Sequence, residues 1–225
     1  VEALDGMGEA CAFFETPITG GNASLYNETL GEGIYPTPVM GIVGLMERAR
    51  PVGIRFVKEG EDVVVVGGLG SSDHTRFGGT QYAKVVLGEV WGLPPALDME
   101  YEKRVQAAIR EMVRAGVVSS AHDLSDGGLA VALAESSFGG IGAEVTLETP
   151  LRAEFAMFHE GPSRILISTS QLEKVRVIAD EHQIQVARIG STVAGRVTVR
   201  GVAEATIAEL EQGWRDGLEE LLHVR

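Results

Sequence analysis

A polar, glycine-containing segment near the start of the chain has the residue types needed to hold a nucleotide. Gly20 and Gly21 have no Cβ, so the backbone there can approach a ligand closely. Asn22 offers a neutral amide oxygen, which suits a hard cation such as Mg²⁺, and Ser24 offers a hydroxyl group to a substrate. An ordinary Gly-Gly-Asn turn with an asparagine side-chain hydrogen bond fits the same residues, and composition alone favours that turn.

A second glycine-rich segment, Gly68 to Asp73, follows the strand predicted over 62–66. Asp73 occupies the place of the third glycine in the dinucleotide-binding pattern, and no lysine follows as it does in a P-loop. Both phosphate-binding patterns therefore fail. The sequence predicts a loop that joins a strand to a helix in preference to a phosphate site.

Two groups of charged residues lie further along the chain. His122, Asp123 and Asp126 are close enough in sequence to bind a metal or transfer protons. Their spacing is not that of a zinc site, so a helix cap in which Asp126 accepts backbone N–H groups is favoured. Arg164 could pair with Glu160 or reach an anion, and an ordinary surface ion pair is favoured.

The composition limits the classes of protein to be considered. The chain has 225 residues, of which 44% are apolar, so it can bury a core in one or two domains. A net charge of −13 disfavours nucleic-acid binding, and no apolar run approaches the length of a membrane helix. The single cysteine, Cys11, is interpreted as a packing residue and fits a reducing compartment. We expect a soluble, cytoplasmic protein with no nucleic-acid or membrane partner.

Apolar periodicity in the first part of the chain predicts a helix over 2–14 and a strand over 39–43, followed by a linker over 48–53. No strand or cap precedes the first helix. We therefore expect the chain to be a fragment of a longer polypeptide, with a domain boundary near residue 53.

Strands and helices alternate irregularly after residue 53. Helices are predicted over 79–91, 98–116 and 129–136, strands over 62–66, 117–118, 145–147, 164–168, 184–189 and 196–199, and capping boxes at Ser170 with Glu173 and at Thr206 with Glu209. Mixed elements without strict alternation favour an α+β fold over a doubly wound sheet.

Three ordered motifs together resemble one enzyme family. Residues 16–28, 36–41 and 122–129 are closely similar to formylglycinamide ribonucleotide amidotransferase, the phosphoribosylformylglycinamidine synthase family, in its synthetase subunit. The similarity extends over essentially the whole chain. It implies that residues 1–53 are the tail of an aminoimidazole-ribonucleotide-synthetase-like N-terminal-type domain, the second A-type ATP-binding domain. Residues 54–225 would be the complete second B-type domain, a C-terminal-type α/β/α layered domain.

The resemblance also implies an activity and roles for three residues. Such enzymes use ATP to activate the amide oxygen of formylglycinamide ribonucleotide, and ammonia then displaces phosphate to give formylglycinamidine ribonucleotide. Matched to this sequence, Gly21 contacts ATP, Asn22 holds Mg²⁺ and Ser24 contacts the ribonucleotide. These implied roles replace the plain turn that composition favours.

The resemblance places no catalytic residue in this chain, because the catalytic histidine of the family lies in its N-terminal half. The chain alone is expected to be inactive. The segment Glu160 to Arg164 departs from the carboxylate-Ser-Gln loop of the first B-type domain, so the B-type domain present is interpreted as a scaffold. The sequence shows no glutaminase segment, which resembles the small form that takes ammonia from a separate glutaminase subunit with a small bridging subunit. A cut C-terminus would give the same appearance.

Two other functions remain open. Aminoimidazole ribonucleotide synthetase, selenophosphate synthetase and thiamine-phosphate kinase share related domains, although the Gly-Gly-Asn-x-Ser-Leu-Tyr-Asn-Glu segment argues against them. The chain could instead be a non-catalytic interaction module that keeps the fold and binds no nucleotide.

Overall fold

The computed structural model describes residues 1–22, 27–35, 37–46 and 51–223, with only the backbone at 218–221 and 223. Two compact units follow one another along the chain, Val1–Ala49 and Arg50–Arg225. Ser24 and Tyr26 lie outside the described residues. No helix in the described ranges is long and apolar enough to cross a lipid bilayer.

The first unit contains one helix and one short hairpin among its described residues. Helix α1, Glu2–Phe13, confirms the helix predicted there. Strands β1, Glu28–Thr29, and β2, Glu32–Gly33, pair antiparallel. The two residues that join them, Leu30 and Gly31, have φ values of 55° and 84°, as a tight two-residue hairpin turn requires.

The strand predicted over 39–43 is wrong. These residues have no regular secondary structure, and their large apolar side chains are exposed. A strand needs a neighbour to receive its backbone hydrogen bonds, and no strand pairs with this segment within the described residues.

The second unit is built around one mixed sheet. Its strands are β3 Asp62–Val66, β4 Ser120–Asp123, β5 Ile141–Val145, β6 Ile165–Thr169, β7 Val186–Ala194, β8 Arg196–Val199 and β9 Ala203–Thr206. Across the sheet their order is β4-β6-β3-β7-β5-β8-β9. Every pairing is antiparallel except that of β5 with β8.

Helices cover both faces of this sheet. They are α2 Met99–Arg114, α3 Gly128–Ser137, α4 Ala153–Phe158, α5 Leu172–Glu181 and α6 Ile207–His223. Alternate valines of β3 divide between the two faces. Val63 and Val65 pack in the cluster that contains residues of α3 and α4, whereas Val64 and Val66 pack with residues of α2 and α5. The unit is therefore an α/β/α layered domain, which confirms the predicted fold class.

The periodicity and capping signals identify two helix starts correctly. The Asp98 side chain caps α2 by accepting the Tyr101 N–H at 3.0 Å. At α6, the Glu209 N–H donates to Thr206 Oγ1, and the Thr206 N–H donates to the Glu209 carboxylate at 2.8 Å. This reciprocal pair confirms the predicted capping box.

Other boundaries differ from the predictions. The strand expected at 117–118 begins at Ser120, because the Val117 N–H still closes the end of α2 by donating to Met112 O at 3.1 Å. The capping box at Ser170 is wrong, since Gln171 is the N-cap residue of α5 and has no side-chain cap bond. β5 ends at Val145, whereas the predicted strand over 145–147 begins there.

The helix predicted over 79–91 is a single π-helical segment, Tyr82–Leu87. It ends at Gly88, which has a left-handed φ of 73°. The returning chain is then held by Trp91, whose backbone N–H donates to Gly78 O at 3.2 Å. A continuous helix to residue 91 would prevent this return.

Candidate functional site

The segment predicted to bind nucleotide lies in the first unit, between α1 and β1. Gly21 and Asn22 are exposed and lie in irregular backbone. A Cβ added to Gly20 or Gly21 would have no atom within 4 Å, so the space beside the backbone is open to a ligand. Ser24 lies outside the described residues. The placement of all three residues around one ligand therefore stays a prediction.

His122 is a structural residue that joins the sheet to α3. It lies at the end of β4 and is only 8% exposed. Its Nε2 is 2.9 Å from Glu135 Oε2 on α3, and its Nδ1 is 2.7 Å from the Asp123 carbonyl oxygen. Both ring nitrogens are thus engaged within the domain. Among the described residues, no group of three or more histidine, cysteine or acidic side chains could hold a metal ion.

The start of α3 is capped by a distant carboxylate. Gly127, at φ 76°, is the N-cap residue, and its N–H donates to Glu160 Oε1 at 2.7 Å. The same oxygen accepts the Gln81 N–H at 2.8 Å. A negative charge is favourable at this positive end of the helix dipole. The predicted cap by Asp126 is therefore wrong, because Glu160 supplies it from 33 positions away in the chain.

Gly128 allows this arrangement by its lack of a side chain. Its φ is 62°, and an added Cβ would lie 2.7 Å from His159 O and 2.8 Å from Met157 O. The end of α4 therefore packs directly on the backbone at the start of α3. This contact places Glu160, which follows α4 closely, beside the first turn of α3.

Arg164 is buried, and the predicted surface ion pair with Glu160 is wrong. The residue is 4% exposed. Its Nε donates to Gly161 O at 3.1 Å, and its Nη2 donates to His159 O. Its Nη1 is also buried and has no hydrogen-bond partner in the described structure. Burial lowers the pKa of Arg164 to about 10, so the guanidinium stays charged at neutral pH.

His159 lies against this guanidinium in its neutral form. Burial, and next the positive charge of Arg164, lower the pKa of His159 to about 4. Its Nδ1 accepts the Gly161 N–H at 2.9 Å, which assigns the ring hydrogen to Nε2. The bond also helps to fix the turn in which Ser163 has a left-handed φ of 64°.

The sequence reasoning missed the structural roles of Glu160 and Arg164. One signal could have indicated the burial of Arg164. It alternates with Leu166 and Ser168 along the approach to β6, and alternate residues share one face of a strand. Nothing in the local spacing indicates that Glu160 contacts Gln81 and Gly127.

Comparison with known proteins identifies the family of the second unit. A model of the AIR synthase related protein, C-terminal domain, matches residues 58–202. The chain belongs to this family. The match falls within the α/β/α layered unit described above, so the domain that carries Glu160 and Arg164 is an AIR-synthase-related C-terminal domain.

Curated relatives share a more specific name. The chain is 41% identical to phosphoribosylformylglycinamidine synthase subunit PurL of Moorella thermoacetica, over 98% of this chain and 31% of that protein. It is also 41% identical to the same subunit of Anaeromyxobacter dehalogenans, over 98% of this chain and 30% of that protein. The chain thus spans about a third of the length of these relatives. The resemblance inferred from the motifs is confirmed.

Solved structures of PurL have the same fold. A structure of Thermotoga maritima PurL complexed with FGAR matches 71% of this chain and 29% of that chain, with 26% identity and a TM-score of 0.58. The PurLQS structure from the same organism matches the same share of this chain with 26% identity and a TM-score of 0.54.

Proposed function

We propose that this chain forms part of an ATP-dependent ligase that converts formylglycinamide ribonucleotide and ammonia to formylglycinamidine ribonucleotide. The observation that carries the proposal is the 41% identity to PurL over 98% of the chain. The solved structure of T. maritima PurL with FGAR supports the substrate. The overall reaction consumes ATP and releases ADP and phosphate, because the substrate amide oxygen leaves as phosphate when ammonia adds.

Gly21, Asn22 and Ser24 are the proposed ligand contacts of this chain. The exposed backbone at Gly21 leaves room for the phosphates of ATP to approach it. Asn22 would contribute one amide oxygen to Mg²⁺, and the Ser24 hydroxyl would bind the ribonucleotide. The described residues do not build a complete magnesium site by themselves. No catalytic residue is proposed within this chain, which alone is expected to be inactive.

The proposal extends to domains and partners. Residues 1–53 would be the tail of the second A-type domain, and 54–225 the second B-type domain. Ammonia would come from a separate glutaminase subunit, with a small bridging subunit between them. The neighbouring PurLQS structure supports additional subunits. The single cysteine and the shared purine pathway favour a cytoplasmic location.

Steady-state kinetics of the whole enzyme test the site. Asn22→Ala, Ser24→Ala and wild type are compared in the whole polypeptide that carries this sequence, with ATP, Mg²⁺, formylglycinamide ribonucleotide and ammonia supplied. Asn22→Ala should lower kcat/KM for ATP and raise the Mg²⁺ concentration needed for half-maximal rate. Ser24→Ala should mainly raise KM for the ribonucleotide. Gln212→Ala, at an exposed position of α6, is the matched control.

Three outcomes would contradict the proposal. If both variants keep activity within about threefold of wild type, less than about 1 kcal/mol of transition-state stabilisation, the site assignment is wrong. If the whole wild-type protein turns over a different ribonucleotide or thiamine phosphate instead, another member of the superfamily is the correct assignment. Absence of any nucleotide binding would favour the non-catalytic interaction module.

A further inference from the structure

The loop that follows β3 leaves several backbone donors unused. We call residues 67–73 the glycine loop. Gly67, Gly68 and Gly70 have φ values of 96°, 102° and 113°, a conformation that side chains rarely permit. The Gly67 N–H donates to Gln185 O, and the Asp73 N–H donates to Ser71 Oγ. Between these ends, the N–H groups of 68–72 have no hydrogen-bond partner in the described parts of the chain.

Arg164 places a buried positive charge directly beneath this loop. A Cβ added to Gly70 would lie 3.5 Å from Arg164 Nη1, so the guanidinium faces the α-carbon of Gly70. This Nη1 is the nitrogen with no partner. The other guanidinium bonds go to neutral carbonyl oxygens, and no carboxylate in the described structure forms an ion pair with Arg164. A buried charge without a counter-ion is costly, which indicates that an anion belongs nearby.

We propose that the glycine loop binds a phosphate group through its backbone N–H groups, with the guanidinium of Arg164 as the balancing charge. Successive backbone donors in a glycine-rich turn form a concave site suited to anions, and a nearby cation strengthens such bonds. Gly70 and Ser72 are exposed, so the loop can be reached from solvent. Arg164, which directly precedes β6, would take the place of the P-loop lysine that the sequence lacks.

One acidic side chain also lies at the end of the loop. The Asp73 carboxylate accepts the Thr75 N–H and hydroxyl and lies 3.5 Å from Arg76 Nε. These contacts offset its repulsion of a second anion. Across the loop, His159 is neutral and adds no charge. The net local charge therefore favours a phosphate beside Arg164.

Solution NMR of the full chain, labelled with ¹⁵N-glycine, tests the proposal without any variant. Inorganic phosphate is titrated at constant ionic strength, with chloride alone as the reference. We expect saturable shifts of the Gly68 and Gly70 amides and little change at Gly201, an exposed left-handed glycine elsewhere in the same unit. Ribose 5-phosphate and ADP form two further titrations. Tighter binding of either would identify an esterified phosphate as the ligand, and tighter binding of inorganic phosphate would identify free phosphate.

Variants then distinguish the contribution of the Arg164 guanidinium to phosphate binding from that of the backbone N–H donors. Arg164→Met should weaken phosphate binding at least tenfold, whereas Arg188→Met, which removes a half-exposed arginine of β7, should leave it unchanged. If Arg164→Met does not fold, Ser72→Pro removes one exposed N–H donor and should weaken binding severalfold. Shifts that do not saturate, that chloride reproduces or that are equal at Gly201 mean an adventitious ion only. These results, or full affinity in Arg164→Met, would overturn the proposal.

Discussion

Removal of the Glu160 carboxylate should destabilise the second unit by a predictable amount. One oxygen of this partly buried side chain accepts two backbone N–H groups, from Gly127 at 2.7 Å and from Gln81 at 2.8 Å. The Gly127 N–H belongs to a buried residue at the start of α3, so water cannot readily replace the lost acceptor. Gln81 is exposed, and water can serve its N–H.

The magnitude follows from this difference in exposure. A hydrogen bond from a buried donor to a charged acceptor contributes about 1.5–3 kcal/mol, and one from an exposed donor contributes about 0.5–1 kcal/mol. Glu160→Ala should therefore lower the free energy of unfolding by about 2–4 kcal/mol. Glu160→Gln keeps an oxygen acceptor but loses the favourable charge at the helix start, and should cost about 1 kcal/mol.

Urea denaturation followed by tryptophan fluorescence measures these changes. Trp91 and Trp214 both lie in the second unit and report on its unfolding. Glu173→Gln is the matched control, because that side chain is 80% exposed and forms an ion pair with the exposed Arg176. Glu173→Gln should change the free energy of unfolding by less than about 0.5 kcal/mol.

Hydrogen exchange provides an independent measure at the capped residue itself. If Glu160→Ala lowers the free energy of opening at Gly127 by about 2–3 kcal/mol, the Gly127 amide should exchange roughly thirtyfold faster or more. If Glu160→Ala is as stable as Glu173→Gln, and the Gly127 amide exchanges at the wild-type rate, then Glu160 does not cap α3 and the interpretation is refuted.

Two further predictions concern a helix cap and a buried histidine. Asp98→Ala removes the acceptor for the Tyr101 N–H at the start of α2 and should lower the free energy of unfolding, measured by urea denaturation, by about 1 kcal/mol. Asp98→Ser should restore most of this stability. Equal stability of the wild type and both variants would contradict the cap. The pKa of His159 is lowered to about 4, below its value of about 6.5 in an unfolded chain, so only the unfolded state takes up this proton between those values. The free energy of unfolding should therefore fall by about 1–3 kcal/mol as pH drops through that window and be unaffected by this group above it. His159→Asn should show a shallower fall, and identical slopes for both proteins would count against this linkage.

Much of the fold could be predicted from the sequence because it depends on short-range patterns. The three- and four-residue spacing of Val105, Ala108 and Met112 reports the buried face of α2. The apolar run at 63–66 lies in β3, an interior strand, and is buried on both faces. The ends of the strands were predicted less accurately from the sequence, since they depend on which neighbouring strand accepts each backbone N–H group.

The site residues illustrate the limit of such patterns. The motif around Gly21, Asn22 and Ser24 was found from the sequence because a family resemblance needs only residue order. The strand expected over 39–43 failed, since an apolar alternation does not provide a partner strand. For the group that contains His122, the sequence favoured a structural role over a reactive one but did not indicate the contact with Glu135. The 2.9 Å distance between His122 Nε2 and Glu135 Oε2 shows that this contact joins β4 to α3.

The sequence by itself determined the periodic helices, the buried strands and the family motifs, because each depends on residues that lie close together in the sequence. Only the tertiary structure decided the environments of Glu160 and Arg164. Glu160 meets Gln81 from 79 positions away, and Arg164 lies beneath Gly70 on a separate part of the chain. The role of a charged side chain depends on which groups surround it and how far water is excluded, and folding sets both by bringing distant segments together.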